Sequence, residues 1–549
     1  MIPSFNLAVT RQLRLLRTVS HLTSRQIIFQ FLRRLGPETR TSPPVGNFPG
    51  RNVLLTPPLQ RACGNEPWAM TFLSVRKAFD PNCFDWASTD QGKLWRYNLH
   101  YFDFLHEPGR DNGPDLIDGW IASNPQGTPD AWEPFPVSLR IVNWIKFCLS
   151  RATALPEAWL QSLALQAQWL ERNIEYHLLA NHYFKNGKAL LFAGIFFEGS
   201  DASRWREKGK HIILEELSEQ ILPDGGHFER SPMYHAMILE DCLDLLNLCR
   251  GNKLQGLEGL PQALEKRLPA MLDYAAGMTH PDGEIALFND AAFGIEPTAA
   301  ELGEYASRLG IPFPSRPERI RSYSQSGYFR LSPRPGDVLI MDCGPIGPDY
   351  QPGHAHCDTL SFELSLEGKR FIVDSGCRQY IDGPIRQYNR GNIGHNSLTI
   401  DGQNQSEVWG SHRVARRARP VFARAWEDGD TLACEGAHDG YFRLPGKPQH
   451  GRRIVWQGPH IEILDRIDGS GEHDIELRLH VNPALDIVRE GTDVILDGIL
   501  RICALNGEIS MENGWYCPRF GQQNNCAVIV VRQRVMLPWS GGFTLTKER

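Results

Sequence analysis

The chain has 549 residues, of which 41% are hydrophobic and 22% charged, and this composition predicts a soluble, globular protein with at least two domains. Its formal net charge of −6 argues against nonspecific binding of a polyanion, so any anionic substrate must meet a local basic patch. The twelve cysteines form no C-x-x-C pair, which excludes a ribbon-type zinc site and a thioredoxin-like motif.

Residues 1–60 are predicted to form a basic helical segment followed by a linker rich in Pro, Gly and Thr. Arginines interrupt every apolar run of residues 1–36, so the segment lacks the apolar core of a signal peptide, and no window of the chain resembles a membrane span. We predict that these helices pack on the protein body, and attachment to an anionic membrane surface is the alternative. The missing signal peptide predicts a cytoplasmic location, with the periplasm as the alternative.

Residues 61–318 are predicted to form a helical domain. Apolar residues recur three and four positions apart from Leu155 to Leu179 and from Met237 to Leu248, which is the spacing of amphipathic helices. Loops that contain Gly and Pro separate such stretches at fairly regular distances. Many consecutive helices of this kind predict a bundle or a helical toroid.

Residues 319–549 are predicted to form an antiparallel β-sandwich. From about Ser324 the apolar runs become short and alternating, as in TLSFELSLEG and KRFIVDSG, and charged turns such as LEGKR separate them. We expect the last 15 residues of the chain to fray. The chain is therefore predicted to be an α+β multidomain protein with the helical domain first.

Residues that can carry chemistry are concentrated in three segments. The first is NHYFKN at 181–186, whose polar residues capping of a helix would explain equally well. The second is DGGHFERSPMYHAMILED at 224–241, where Ser231 and Pro232 mark a helix entry and place Tyr234 in the first turn. Core packing is the alternative role for this tyrosine. The third runs from GHAHCD at 353–358 through FIVDSG to YNRGNIGHNSLTIDG.

The third segment predicts a zinc site. His356 belongs to the H-x-H pair, Asp374 ends the next apolar strand, and His395 opens a third strand. Adjacent antiparallel strands can bring these three residues together, and two imidazoles with one carboxylate suit Zn²⁺. Three unrelated polar residues at strand ends are the alternative.

Taken in order, these segments resemble the heparinase II/III-like polysaccharide lyases, which are related to the oligoalginate lyases. The similarity covers roughly residues 90–480 and rests on NHYFKNGKALLFAG, DGGHFERSPMYHAMILED, GHAHCDTLSFEL, FIVDSG and YNRGNIGHNSLTIDG. It implies an incomplete α/α toroid followed by an antiparallel β-sandwich, a structural zinc ion in the second domain, and catalysis in the cleft between them. The implied reaction is β-elimination on a polysaccharide that contains uronic acid.

The resemblance also implies roles for individual residues. Asn181 and His182 match positions that contact the substrate carboxylate. Tyr234 and His354 match the catalytic tyrosine and histidine, and Tyr388 falls where the oligoalginate lyases carry a second catalytic tyrosine. We expect Tyr234 to be the acid, because tyrosine is neutral at pH 7, and either His354 or Tyr388 to be the base. The implied zinc ligands are the three residues named above.

Three further residues are predicted to bind an anionic sugar chain. Trp132 lies in an aromatic-rich stretch of the helical domain, where core packing is the alternative role. Arg386 and Arg390 flank Tyr388, and either could lower the pKa of that tyrosine or hold an anionic sugar.

Two other functions fit the sequence less well. A glycoside hydrolase needs two carboxylates that flank the scissile bond, and Glu229 and Asp290 are the candidates. A catalytically weak binding or processing factor in capsule or lipopolysaccharide assembly would suit a chain without an export signal. The expected partner is an anionic polysaccharide or oligosaccharide, and the sequence contains no phosphate loop, dinucleotide fingerprint or nucleic-acid-binding motif.

Overall fold

The structure is a computed structural model that describes residues 3–36, 50, 53–60, 66–81, 83–151, 154–314 and 318–548, with side chains described from residue 11 onward. Within these ranges, helices dominate the chain up to residue 308 and strands dominate it from residue 320. The helices are α1 (Pro3–Val19), α2 (Ser24–Leu35), α3 (Lys93–Tyr101), α4 (Gly113–Ser123), α5 (Pro134–Leu149), α6 (Glu157–Arg172), α7 (Ala180–Phe196), α8 (Ser200–Gln220), α9 (Pro232–Gly251), α10 (Leu260–Gly277), α11 (Ala299–Arg308) and α12 (Pro384–Arg390).

Helix α7, which carries Asn181 and His182 in its first turn, is held by close packing against α8. A Cβ atom added at Gly194 of α7 would lie 2.4 Å from the backbone nitrogen of Arg206 in α8. Glycine permits this close approach because it has no side chain. The glycine contact therefore allows the short distance between the backbones of α7 and α8.

Three antiparallel sheets form the second half. Their strands are β3 (Ile320–Tyr323), β4 (Tyr328–Arg334), β5 (Asp337–Asp342), β6 (Phe362–Leu366), β7 (Lys369–Ile372), β8 (Leu398–Ile400), β11 (Pro420–Asp428), β12 (Thr431–His438), β13 (Gln449–Gln457), β14 (His460–Asp468), β15 (Glu472–His480), β16 (Ile487–Glu490), β17 (Asp493–Leu496), β18 (Leu500–Ala504), β19 (Ile509–Tyr516), β20 (Asn524–Met536) and β21 (Trp539–Lys547), and β9 (Val408–Trp409) pairs with β10 (Arg413–Val414). The orders are β3-β4-β5-β6-β7, β11-β12-β13-β14-β21-β18-β17-β16 and β19-β20-β15-β8. Residues from all three sheets share one apolar core.

Two elements differ from the sequence-based prediction. A β-hairpin, β1 (Ala69–Phe72) with β2 (Val75–Ala78), lies in the region predicted to be helical. Strand β21 lies between β14 and β18 and does not fray. Its Phe543 and Leu545 are fully buried, because strands on both sides complete its hydrogen bonding and cover its apolar face.

Helices α1 and α2 contact both halves of the molecule. Gln26 of α2 is buried and donates hydrogen bonds to the backbone carbonyls of Leu178 and Tyr350. Thr18 of α1 donates to the carbonyl of Val414. In the part of the chain that the structure describes, none of the helices is long and apolar enough to cross a membrane.

Candidate active site

The predicted acid and the predicted histidine meet at the boundary between the two halves. Tyr234 lies in the first turn of α9, where Ser231 caps the helix by accepting a hydrogen bond from the Tyr234 amide at 3.3 Å. The ring of Tyr234 stacks on the imidazole of His354, with ring centroids 3.8 Å apart and planes inclined by 27°. The helix entry motif and the H-x-H loop therefore form one contact.

A second tyrosine joins this contact, and it is Tyr380 rather than Tyr388. The hydroxyls of Tyr234 and Tyr380 share a hydrogen bond of 3.0 Å. The Tyr388 hydroxyl instead bonds to Nε2 of His480 at 2.9 Å and accepts a hydrogen bond from the Trp515 amide. The structure thus does not bring Tyr388 to the cluster, because α12 turns its ring toward β15 and β19. Sequence reasoning missed Tyr380, although it lies four residues after the FIVDSG motif.

Both tyrosines of the cluster are neutral. Burial raises the pKa of Tyr234 well above its usual value, and burial together with the neighbouring Tyr234 does the same for Tyr380. A raised pKa favours the protonated phenol, so each hydroxyl is suited to give a proton and unsuited to take one before substrate binds.

Asp290 fixes the orientation of His354. The carboxylate of Asp290 lies 3.0 Å from Nδ1 of His354 and 2.8 Å from Nε2 of His356, and it makes a two-point ion pair with the buried guanidinium of Arg386. Burial opposes its ionisation, but the charge of Arg386 and the hydrogen bonds from His354, His356 and Arg386 hold the pKa of Asp290 well below its usual range. An ionised Asp290 only accepts, so Nδ1 of His354 carries a proton, and in the neutral imidazole the lone pair is on Nε2.

Glu229 links His354 to Asn181. One oxygen of the Glu229 carboxylate accepts a hydrogen bond from the Asn181 side-chain amide at 2.9 Å. The other oxygen lies 3.6 Å from Nε2 of His354, and within the described ranges it has no hydrogen-bond partner. Both Glu229 and Asn181 are 2% exposed, so the hydrogen bond between them is shielded from water.

The backbone before two of these residues is strained. Leu179 and Ala180, which precede Asn181, have φ values of 62° and 53°, and Arg230, which precedes Ser231, has a φ of 59°. The left-handed region costs a side-chain-bearing residue about 1–2 kcal/mol. Strain of this kind is found at functional sites, where the surrounding structure enforces it.

The surroundings of His182 favour its protonated form. Its Nδ1 lies 3.0 Å from Glu175, and its ring centroid lies 4.5 Å from that of Phe135. Burial by itself would lower the pKa of His182, but the charge and hydrogen bond of Glu175 outweigh burial and raise it. A protonated His182 next to Asn181 provides two donors for a substrate anion.

A cavity of about 150 Å³ opens beside the tyrosine pair. Tyr234 and Tyr380 belong to its wall, together with Phe135, whose ring packs against that of His182 at an interplanar angle of 43°. Its polar lining comes mainly from the helical domain and includes Asn98, Asn143, Lys146, Lys185, Lys188 and Asp241. The cavity therefore runs from the tyrosine pair into the helical domain.

Three buried side chains, one of them from the H-x-H pair itself, offer atoms for a metal ion. His356, Asp358 and His395 each present one ligand atom within 4.8 Å of the others. The Nδ1 atom of His356, the Oδ1 atom of Asp358 and the Nε2 atom of His395 are buried and, among the described residues, have no hydrogen-bond partner. Unpartnered buried polar atoms are costly, so their convergence fits a bound cation.

Asp374 contacts this group through His395. Its carboxylate lies 2.8 Å from Nδ1 of His395, where it can fix the ring orientation. Burial raises the pKa of Asp374 to about 6, and burial also raises the pKa of Asp358. The structure thus brings the two predicted histidines together and adds Asp358, which sequence reasoning missed although it belongs to the motif GHAHCD.

The three predicted sugar-binding residues have structural positions instead. Trp132 is 3% exposed and packs against Trp120 and Trp169 in the helical core. Arg386 is fully buried in its ion pair with Asp290, and Arg390 is fully buried with its guanidinium bonded to three backbone carbonyls. Buried groups with satisfied partners cannot reach a sugar chain, so these assignments are corrected.

Two family models together match residues 116–543 of the chain. A family model described as "Heparinase II/III N-terminus" matches residues 116–316, and one described as "Heparinase II/III-like, C-terminal" matches residues 315–543. A protein of Pedobacter heparinus named heparin-sulfate lyase is 25% identical over 410 residues, which cover 67% of this chain and 58% of that protein. The chain thus spans less than two thirds of this relative.

Two further comparisons bear on fold and function. A solved crystal structure of heparinase III matches with a TM-score of 0.67 at 21% identity, over 85% of this chain and 79% of that one. This likeness confirms the predicted toroid and β-sandwich. The FtsZ-localized protein C of Caulobacter vibrioides is 23% identical over 456 residues, which cover 77% of this chain and 76% of that protein.

Proposed function

The chain is a member of the heparinase II/III family, and we propose that it is a lyase that cleaves a uronic-acid-containing polysaccharide by β-elimination. The observation that carries the proposal is the contact of Tyr234, Tyr380 and His354 beside the cavity. In β-elimination a base removes the proton on C5 of the uronate, the bond from C4 to the glycosidic oxygen breaks, and a C4–C5 double bond forms. The reaction needs a base, an acid for the leaving oxygen, and donors for the carboxylate.

His354 is the proposed base. Its Nδ1 proton is held by Asp290 at 3.0 Å, which leaves the lone pair of Nε2 as the proton acceptor. The ionised Asp290 also stabilises the imidazolium that forms when the C5 proton arrives, as the carboxylate of a catalytic triad does. The buried Arg386 keeps Asp290 ionised and so acts as a positioning residue.

Tyr234 is the proposed acid. Tyr234 belongs to the cavity wall and its hydroxyl is protonated, so it can transfer its proton to the departing C4 oxygen. The Tyr380 hydroxyl, 3.0 Å away, holds the Tyr234 hydroxyl in place and can stabilise the phenolate that the transfer leaves behind.

Asn181 and His182 are the proposed donors to the uronate carboxylate. Negative charge accumulates on this carboxylate as the C5 proton leaves, so donors placed there stabilise the transition state more than the ground state. Glu229 holds the Asn181 amide and Glu175 holds the His182 ring, which limits the reorganisation needed when substrate binds.

We further propose that His356, Asp358 and His395 hold a zinc ion, with Asp374 orienting His395. Two imidazoles and a carboxylate match the ligand preference of zinc and leave a fourth position. A bound zinc ion supplies fixed positive charge among buried carboxylates and ties the H-x-H loop to the loop of His395. Its role is structural, because His354 is held by Asp290.

The contacts disfavour a glycoside hydrolase. Asp290 is fully buried in its ion pair with Arg386 and is not free to flank a glycosidic bond, so Glu229 lacks the second carboxylate that a hydrolase needs. A binding or processing factor is the second candidate function. The similarity to a relative named for its FtsZ localisation, over 77% of this chain, is the observation that favours it.

The proposal is tested by incubating the purified protein with heparan sulfate, hyaluronan, chondroitin and alginate, with neutral dextran as control. We expect at least one uronate polymer to give both new reducing ends and the ultraviolet absorbance of an unsaturated uronate. Tyr234→Phe should lower this rate by about 10²–10⁴, the usual contribution of positioned proton transfer. Reducing ends without absorbance would indicate a hydrolase, and tight binding without either product would indicate a binding factor.

A further inference from the structure

Helices α1 and α2 expose an apolar surface that the lyase proposal does not use. Nine of their large apolar side chains are between 42% and 68% exposed, and we call this set the N-terminal apolar face: Leu13, Leu15, Leu16, Val19, Ile27, Ile28, Phe31, Leu32 and Leu35. In α2 the members recur at spacings of three and four, so they share one side of the helix. Large apolar side chains exposed in this number on one helix pair mark a candidate interaction site.

The opposite side of the same helices is already bound to the protein. Arg25 donates to Glu215 at 2.8 Å and to the Tyr183 hydroxyl at 2.7 Å, and Gln26 reaches the carbonyls of both domains. Thr18 accepts a hydrogen bond from Trp409 at 3.2 Å. These polar contacts hold the helix pair across the domain boundary and leave the apolar face pointing away.

The positive charge of residues 1–36 favours an anionic partner. Residues 1–36 contain six arginines and neither Asp nor Glu, within a chain whose formal net charge is −6. Arg11 and Arg34 are exposed beside the apolar face, whereas Arg33 contacts Nε2 of His177 on the side that faces the protein. A second copy of the chain would bring a second set of arginines to the same contact. An anionic bilayer instead offers phosphates to the arginines and acyl chains to the apolar residues.

We propose that α1 and α2 dock this protein on the surface of an anionic phospholipid bilayer. The helices lie in the plane of the interface, with the N-terminal apolar face inserted and the arginines at the level of the headgroups. No helix of the described residues is long and apolar enough to cross the bilayer, which agrees with attachment at the surface. The inference does not depend on the proposed lyase reaction.

Vesicle binding of the full chain tests the proposal. The protein is sedimented with vesicles of phosphatidylcholine containing one third phosphatidylglycerol, and with vesicles of phosphatidylcholine alone. We expect binding to the anionic vesicles that weakens as salt is raised, and at least tenfold weaker binding to the neutral ones. Arg34→Gln should weaken binding by about fivefold, the factor that corresponds to one basic residue near an anionic surface.

A pair of matched substitutions separates the apolar face from general surface effects. Phe31→Asp, at a side chain 62% exposed, should lower anionic vesicle binding at least tenfold and leave the folded structure and the product assay unchanged. Met536→Asp, at a side chain 65% exposed on β20, should leave vesicle binding unchanged. The proposal is overturned if the full chain ignores anionic vesicles or if both variants bind like the parent. A dimer in light scattering that Phe31→Asp dissociates, without vesicle binding, would assign the face to a second copy.

Discussion

Replacing Asp290 with Asn tests the central electrostatic arrangement of the proposed site. The carboxylate accepts from His354 at 3.0 Å and from His356 at 2.8 Å, and it pairs with the buried Arg386. An asparagine presents an NH₂ group to this cluster, and facing Nδ1 of His354 it would move the imidazole proton to Nε2. The imidazole would then be unable to accept the C5 proton.

The expected magnitudes follow from the same contacts. A wrong tautomer of a triad histidine costs about 10⁴ in kcat, and we expect a loss of that order for Asp290→Asn. Removing one partner of a buried ion pair costs about 3–5 kcal/mol of the free energy of unfolding, because the other charge stays buried. The rate of unsaturated product formation and urea unfolding measure the two effects separately.

The β-sandwich contains a matched control for this substitution. Asp465 is also fully buried, makes a two-point ion pair with Arg452 at 2.9 Å and lies 2.6 Å from Nε2 of His450. Asp465→Asn should lose a comparable free energy of unfolding and keep its kcat. The reasoning is refuted if Asp290→Asn retains kcat within tenfold, or if Asp465→Asn loses as much kcat as Asp290→Asn.

Three further outcomes are expected. Tyr380→Phe should lower kcat about tenfold or more, because it removes the hydroxyl bonded to the proposed acid. Tyr388→Phe should change kcat less than twofold, because its hydroxyl bonds to His480 instead. Equal effects of the two variants in the product assay would contradict the assignment of Tyr380 to the active site. His356→Ala should lose zinc by elemental analysis and unfold at lower temperature, while His354→Ala should keep its metal and lose activity; metal loss from both would make His354 a ligand. Asn181→Ala should lower kcat far more than it raises KM, and steady-state kinetics in which only KM changes would make this residue a simple binding group.

Local sequence patterns were sufficient for the architecture. Helical spacing before residue 308 and two-residue alternation after residue 320 report which face of each element is buried, and burial dominates element choice. The helix entry at Ser231 and Pro232 likewise predicted the first helical turn that carries Tyr234, because capping chemistry is local. The hairpin at Ala69–Ala78 escaped prediction because its strands are four residues each, too short for a period to be recognised.

The order of the two domains, the family resemblance and the segments that build the site were therefore predictable from the sequence alone. The folded chain was needed to see which residues of those segments meet. It places Tyr380 at the site in place of Tyr388 and Asp358 beside the two histidines, and it shows that Asp290 and Glu229 hold His354 and Asn181. It also removed Arg386 and Arg390 from the substrate surface by burying them. The physical reason is that these contacts join loops far apart in the chain across a domain boundary. Spacing along the chain specifies the face of a strand or helix, but it does not specify which loop of the other domain lies against it.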